Sequence, residues 1–293
     1  EEVYPILLRC KAVISSFGAN TTVTNNFFKN NPYWQYIFIQ HGQIYLKESV
    51  LSNGYLTDEK FDKILISSGE EYKIFKKYNW DDRMFLKAGL PRWDLLKDNS
   101  KSERSILVML TWRKLDLLTF ENSLYKQNLN SLLNNNKLQK YLLDDNIKLY
   151  FAPHPALLHN QGINLDIRNK NVEIVDTDKI SECIRKCSCL ITDFSSVTFD
   201  FMFQNKPVLF YLLDKNEPNA HPQDKNDMAK FDYKKYILPN VCFEEDEVIE
   251  KIKYYVENNF ELEPENKEKY NKFFYTKENI RQKLIEEIDK CCK

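Results

Sequence analysis

Six short apolar runs, most of them closing on a polar turn and separated by helical stretches, restrict this chain more tightly than any other feature. They are Tyr36–Ile39, Lys63–Ile66, Ile106–Leu110, Ile147–Ala152, Cys189–Thr192 and Val208–Leu213. Near-continuous apolar runs without alternation suit strands buried on both faces, and intervening helices supply the crossovers of a parallel sheet. An α/β fold is therefore expected, with its strands covered on both sides. Glu70–Lys77 reads as a helix that Ser67 or Ser68 would cap. Another helix is expected from about Val197, stopped by Lys206-Pro207. The Asn- and Lys-rich stretch from Asn128 to Lys140 reads as a solvated helix or loop, and the chain is expected to be helical from Val248 onward.

The polar segment Lys97–Glu103 reads as the link between two halves. It assigns 1–97 to a first Rossmann-like domain, expected to lack its opening strands. It assigns 98–262 to a second Rossmann-like domain and 263–293 to C-terminal helices. A chain of 293 residues buries enough surface to fold without disulfide or metal staples. The seven cysteines, an odd count with no secretion signal, point to reduced thiols and a cytoplasmic setting. Cys183, Cys187 and Cys189 lack the spacing of a zinc site and have no nearby His, so they read as small buried side chains. No apolar run approaches the ~18–20 residues of a membrane span.

Charge narrows the class of ligand. A net charge of −1 argues against nonspecific nucleic-acid binding as the main activity. From Glu250 to Lys293 ten basic residues balance ten acidic ones, which makes this tail a weak electrostatic anchor for a membrane. With only six glycines, and neither G-x-G-x-x-G nor a Walker pattern present, any phosphate site must be built without a glycine-rich loop.

Five polar turns are candidates for that site. Thr192-Asp193-Phe194-Ser195-Ser196 lies between a strand end and a helix start, where backbone N–H groups and hydroxyls can face an anion. Ser195 and Ser196 could equally be plain helix caps. Pro153-His154-Pro155 holds His154 rigid and extended, suited to phosphate contact or proton transfer. Gln40-His41-Gly42 closes another run, with Lys47 following as a possible anion partner. In Thr111-Trp112-Arg113 the guanidinium could fork onto a phosphate or form a surface ion pair. Gly89-Leu90-Pro91-Arg92-Trp93-Asp94 reads as a structural turn, with Arg92 the residue that could do more. His159 and His221 lack comparable surroundings. No G-x-S-x-G elbow and no H-E-x-x-H occur, which weakens hydrolase and metalloprotease readings.

Taken in order, these motifs resemble those of the CDP-glycerol glycerophosphotransferase family, the teichoic-acid primases and polymerases of bacteria. The resemblance rests on His41-Gly42, Gly89-Leu90-Pro91-Arg92-Trp93-Asp94, Thr111-Trp112-Arg113 and His154-Pro155. It continues through Ile191-Thr192-Asp193-Phe194-Ser195-Ser196 with Phe199-Asp200, and Lys206-Pro207. Two departures stand out. Gln43-Ile44-Tyr45-Leu46-Lys47 replaces a Thr-Pro-Leu-Lys segment, and Phe194 replaces a Tyr.

The resemblance implies a GT-B fold, two Rossmann-like halves facing a cleft with C-terminal helices crossing back. It implies transfer of a polyol phosphate from CDP-glycerol, or a related CDP-polyol, to an acceptor hydroxyl with release of CMP. The acceptor would be lipid-linked or polymeric, the product a teichoic-acid or capsule polymer, and the protein peripheral at the inner face of the membrane. His41 would be the general base, and His154 and Arg113 would stabilise the pyrophosphate. Ser195 and Ser196 would bind phosphate, Lys47 would be a further anion partner, and Asp193 would order the turn. Phosphoryl-type transfer often uses Mg²⁺, so that ion stays open, although the sequence shows no motif to hold a metal. Two alternatives remain: a GT-B glycosyltransferase using a nucleotide-sugar, and a non-catalytic nucleotide-binding domain.

Overall fold

A computed structural model of the chain describes residues 9–16, 34–46, 51, 61–97, 102–113, 120–154, 157, 165–214 and 240–291. The chain divides into two units, Glu1–Leu95 with Asn271–Lys293, and Leu96–Tyr270. The segment 263–293, expected to stand as a set of terminal helices, is thus shared between the units.

In the first unit, four strands lie parallel in chain order: β1 (Ala12–Ser15), β2 (Gln35–Phe38), β3 (Lys63–Ile66) and β4 (Phe85–Lys87). Ile37, Ile64, Leu65 and Ile66 are fully buried, as their uninterrupted apolar runs require. Helix α1 (Gly69–Lys77) follows β3, and the choice between two serines falls on Ser68, whose hydroxyl accepts from the Glu71 amide at 3.1 Å.

The second unit holds a six-stranded parallel sheet. In chain order its elements are β5 (Glu103–Met109), α2 (Leu124–Asn134), α3 (Asn136–Asp144), β6 (Lys148–Phe151), β7 (Val172–Ile174) and α4 (Ile180–Lys186). Then come β8 (Cys187–Thr192), α5 (Val197–Phe203), β9 (Val208–Tyr211), β10 (Val241–Cys242) and α6 (Glu245–Glu257). Across the sheet the order is β10-β9-β8-β5-β6-β7, so the chain moves outward one way from β5 and then returns to the other side at β8. This is the doubly wound order, in which ligands bind beyond the carboxyl ends of the two strands where the direction reverses.

Of the two readings of the Asn-rich stretch the helix holds, as parts of two helices whose inner face is buried. Asn135 ends α2 and caps α3, accepting from Lys137 N at 2.8 Å and Leu138 N at 3.1 Å. Leu129, Leu132, Leu133, Leu138 and Leu142 line their buried face. Composition hid this, because the polar residues sit on the outer face. The C-terminal helical region begins at Glu245, ahead of Val248, with a Glu244/Glu247 capping box. Two further helices, α7 (Pro264–Phe273) and α8 (Ile280–Cys291), follow.

Candidate active site

In the second unit, three of the polar turns occupy the carboxyl ends of β8, β5 and β6, three neighbours in the sheet. A buried charge cluster joins two of them. Arg113 is fully buried, and its Nε and Nη2 donate to Asp214 Oδ2 and Oδ1 at 2.6 and 2.9 Å. Its Nη1 donates to the Thr111 carbonyl at 2.6 Å and lies 2.9 Å from Asp193 Oδ2. The other oxygen of Asp193 accepts from the Thr111 amide at 2.7 Å. The guanidinium carbon sits 4.8 Å from the centre of the Tyr125 ring. One side chain thus ties the turns after β5, β8 and β9 together. Burial alone would lower the Arg113 pKa, but the carboxylates of Asp193 and Asp214 more than offset it and the net direction is upward.

This geometry corrects the expectation that Arg113 binds the pyrophosphate. Its guanidinium is wholly enclosed among two carboxylates and a carbonyl, so as placed it has no face open to a pyrophosphate. Asp193 faces inward to Arg113 and Thr111, tying its turn to the end of β5. Ser195 and Ser196 are half-buried at the start of α5. The Ser195 hydroxyl accepts from Val197 N only at a long 3.4 Å, and the Ser196 side chain makes no capping bond. The capping alternative therefore accounts for little of their presence. His154, half-buried beyond β6, has its ring against Trp112, with centroids 6.1 Å apart and planes inclined at 32°.

In the first unit, the Gln40–Ile44 turn places His41 at the surface while its neighbours are buried. His41 Nδ1 lies 3.3 Å from the Ser16 carbonyl oxygen. With the proton on Nδ1 donated there, Nε2 becomes the proton-accepting nitrogen. Arg92 Nη1 donates to the His41 carbonyl at 2.9 Å, so the Gly-x-Pro-Arg-x-Asp and His-Gly motifs are physically joined. Lys47, Pro155, His159 and His221 lie outside the described residues. Among the described residues, no group of three or more His, Cys, Asp or Glu is placed to hold a metal ion, and no helix is long and apolar enough to cross a membrane.

The model of the CDP-glycerol:poly(glycerophosphate) glycerophosphotransferase family matches residues 2–290. The chain belongs to that family. It is 31% identical over 309 aligned residues to the minor teichoic acid biosynthesis protein GgaB of Bacillus subtilis, covering 97% of this chain and 33% of GgaB. It is 27% identical to the teichoic acid glycerol-phosphate primase of the same organism, covering 73% of this chain and 61% of the primase. The chain therefore spans about a third of one relative and three fifths of the other. Among solved structures, the wall teichoic acid polymerase TagF superposes with a TM-score of 0.67 at 18% identity, over 99% of this chain and 75% of that one. A UDP-GlcNAc 2-epimerase from Neisseria meningitidis gives a TM-score of 0.58 at 13% identity, over 99% of this chain and 79% of that one. The fold is GT-B-like, as the motifs had implied.

Within this glycerophosphotransferase-family chain, the Gly89–Asp94 motif works from inside the first unit. Asp94 accepts from the Ile280 and Arg281 amides at 3.3 and 2.8 Å and so caps α8. A Cβ on Gly89 would lie 3.0 Å from Ile280 Cδ1 and 3.1 Å from Trp93 Cε3, a contact that those side chains would have to relieve by shifting. Sequence reasoning missed Asp214 and Glu71. Asp214 lies 101 residues from its partner Arg113, and nothing local distinguishes it from an acidic residue ending a strand. Glu71 sits in the first turn of α1, where acidic residues are common for the helix dipole alone.

Proposed function

We propose that this chain transfers glycerol phosphate, or a closely related polyol phosphate, from a CDP-activated donor to an acceptor hydroxyl, releasing CMP. The observation that carries this reading is the setting of three family motifs at the carboxyl ends of β8, β5 and β6, around the reversal in strand order. The donor's pyrophosphate belongs there, against the Ser195 and Ser196 hydroxyls and His154. The acceptor oxygen attacks the β-phosphorus and forms the new P–O bond. The bond from that phosphorus to the bridging oxygen breaks, and CMP leaves with the bridging oxygen. The acceptor's proton passes to His41, which the family resemblance makes the general base. The Arg113 cluster serves by holding the turns in place before the donor arrives, because donors already fixed in position need no reorganisation as charge develops.

The acceptor is a lipid-linked or polymeric polyol phosphate in teichoic-acid or capsule synthesis, and the protein works peripherally at the inner face of the cell membrane. The names of the family and of GgaB, the primase and TagF support the part of this assignment that concerns teichoic-acid synthesis. The test is CMP release from CDP-glycerol with an acceptor present, paired with calorimetric binding of CDP-glycerol, CDP-ribitol, CMP and UDP-sugars. His41→Ala should lower turnover by roughly 10²- to 10⁴-fold and leave donor binding intact. His154→Ala should weaken donor binding. Selective binding and turnover of a UDP-sugar would move the chain to the glycosyltransferases. Tight CDP binding without turnover under any acceptor would make it a binding domain.

A further inference from the structure

The Gln40–Ile44 turn is built around one carboxylate that no sequence motif marks. Glu71 is fully buried, yet four donors converge on it. Oε1 accepts from Gln40 Nε2 at 2.9 Å and from the Ile44 amide at 3.4 Å. These two donors lie on either side of His41-Gly42. Oε2 accepts from the Ser67 amide at 2.8 Å and the Ser67 hydroxyl at 3.1 Å, which fixes the carboxylate to the end of β3. Gln40 has φ of 56°, in the left-handed region that a non-glycine residue adopts only at a cost. Its side chain holds it there, donating to the Leu65 carbonyl at 2.5 Å as well as to Glu71. Gln43 donates to Ser67 Oγ at 2.5 Å, so the residue that departs from the family segment joins the same network. On the outer side, Arg92 holds the His41 carbonyl. Burial pushes the Glu71 carboxyl above its ordinary range, and hydrogen bonds from Ser67 and Gln40 draw it part of the way back.

We propose that Glu71 is a positioning residue for His41: its carboxylate clamps both flanks of the His41-Gly42 turn to the end of β3 and so fixes where the imidazole stands. A helix whose first turn merely needed negative charge would be served by the half-exposed Glu70 alone. A fully buried carboxylate shared between the two flanks of a strained turn is accounted for by the turn itself. The role rests on the reading of His41 as the base, but the placement of the imidazole can be followed without any turnover.

The test compares the whole chain with its Glu71→Gln and Gln40→Ala variants by three measurements. The first is the His41 imidazole signal followed by NMR through its titration, made simple by a total of four histidines. The second is the calorimetric affinity for CDP-glycerol. The third is kcat and KM for CMP release across pH. An amide at position 71 presents an N–H toward one of its present donors, so the clamp opens while the volume stays the same. The expected result is an altered His41 titration in both variants, kcat lowered roughly 10- to 100-fold, and donor affinity and KM within about twofold of the parent. A merely structural role would show as a lower melting temperature with an unchanged His41 titration and kcat in the folded fraction, and that result overturns the proposal. If Glu71→Gln does not fold, Gln40→Ala opens the same contact from the other side. If the parent chain releases no CMP but the His41 titration still moves in the variants, the clamp stands and the assigned reaction falls.

Discussion

Arg113→Met is the substitution whose consequences the second unit specifies most sharply. The guanidinium is fully buried between two buried carboxylates, so the cluster carries two negative charges against one positive. Removing the cation strands both Asp193 and Asp214 in a site closed to solvent. Breaking one buried pair costs about 3–5 kcal/mol, and here two carboxylates lose the same partner, so the loss should lie at or above the top of that range. Asp214→Asn is the instructive contrast. It leaves Arg113 paired with Asp193 and the cluster neutral, and it gives up charge-assisted bonds worth about 1.5–3 kcal/mol. Arg113→Met should therefore be clearly more damaging than Asp214→Asn, although each removes one member of the same contacts. Converting all three residues at once, to Met, Asn and Asn, should recover much of the stability lost by the single Arg113 change. Urea denaturation followed by circular dichroism gives the stabilities. Hydrogen exchange at the Thr111 amide, which donates to Asp193, gives a local reading of the same cluster. The reasoning is refuted if Arg113→Met lies within about 1 kcal/mol of the parent, or if Asp214→Asn costs more.

Two further expectations concern other buried groups. Burial lowers the Lys206 pKa to about 8, with Cys187 opposing weakly. The folded value lies below the unfolded one, so this lysine's favourable contribution is present at high pH and lost as pH falls through 8. Relative to Lys206→Met, the parent should gain about 1.4 kcal/mol of stability between pH 7 and 9, and a flat difference across that range would exclude the assignment. In the first unit, Gly89→Ala forces a methyl against Ile280 and Trp93 and should cost about 1–3 kcal/mol in denaturant melts, with no effect on donor affinity.

Much of the sheet was legible because buried parallel strands are written as unbroken apolar runs. Lys63–Ile66 is a strand over the span read from sequence, and the other runs match theirs within a few residues. The strands that escaped are the short ones: β1, β4, β7 and β10, of two to four residues. All but β10 mix polar or exposed positions into that length: Lys87 of β4, Ile14 of β1 and Ile174 of β7 are exposed. A strand of three residues carries too little periodicity to separate it from a loop. The strand-end turns were legible for the same reason as the strands, since a polar group that follows an apolar run stands where the sheet ends.

What the sequence could not separate was the residue that presents itself to a ligand from the residue that holds it. Arg113 and His154 each follow an apolar run by two or three positions, and both read as candidates for an anion. The distinction lies in what meets them from elsewhere in the chain. Asp214 and Asp193 enclose Arg113, whereas His154 lies tilted against Trp112 and stays half-exposed. The same division runs through the first unit, where His41 is exposed while Gln40, Gln43 and Glu71 behind it are buried. A motif such as Thr-Trp-Arg thus combines a frame with the surface it frames. A family pattern can hold every such residue type for two different reasons, which burial and long-range partners separate. That is why the Arg113 and Glu71 substitutions above should differ from those at His41 in kind. On the proposed reading, the former would act on stability or on the placement of another group, and the latter on the chemical step itself.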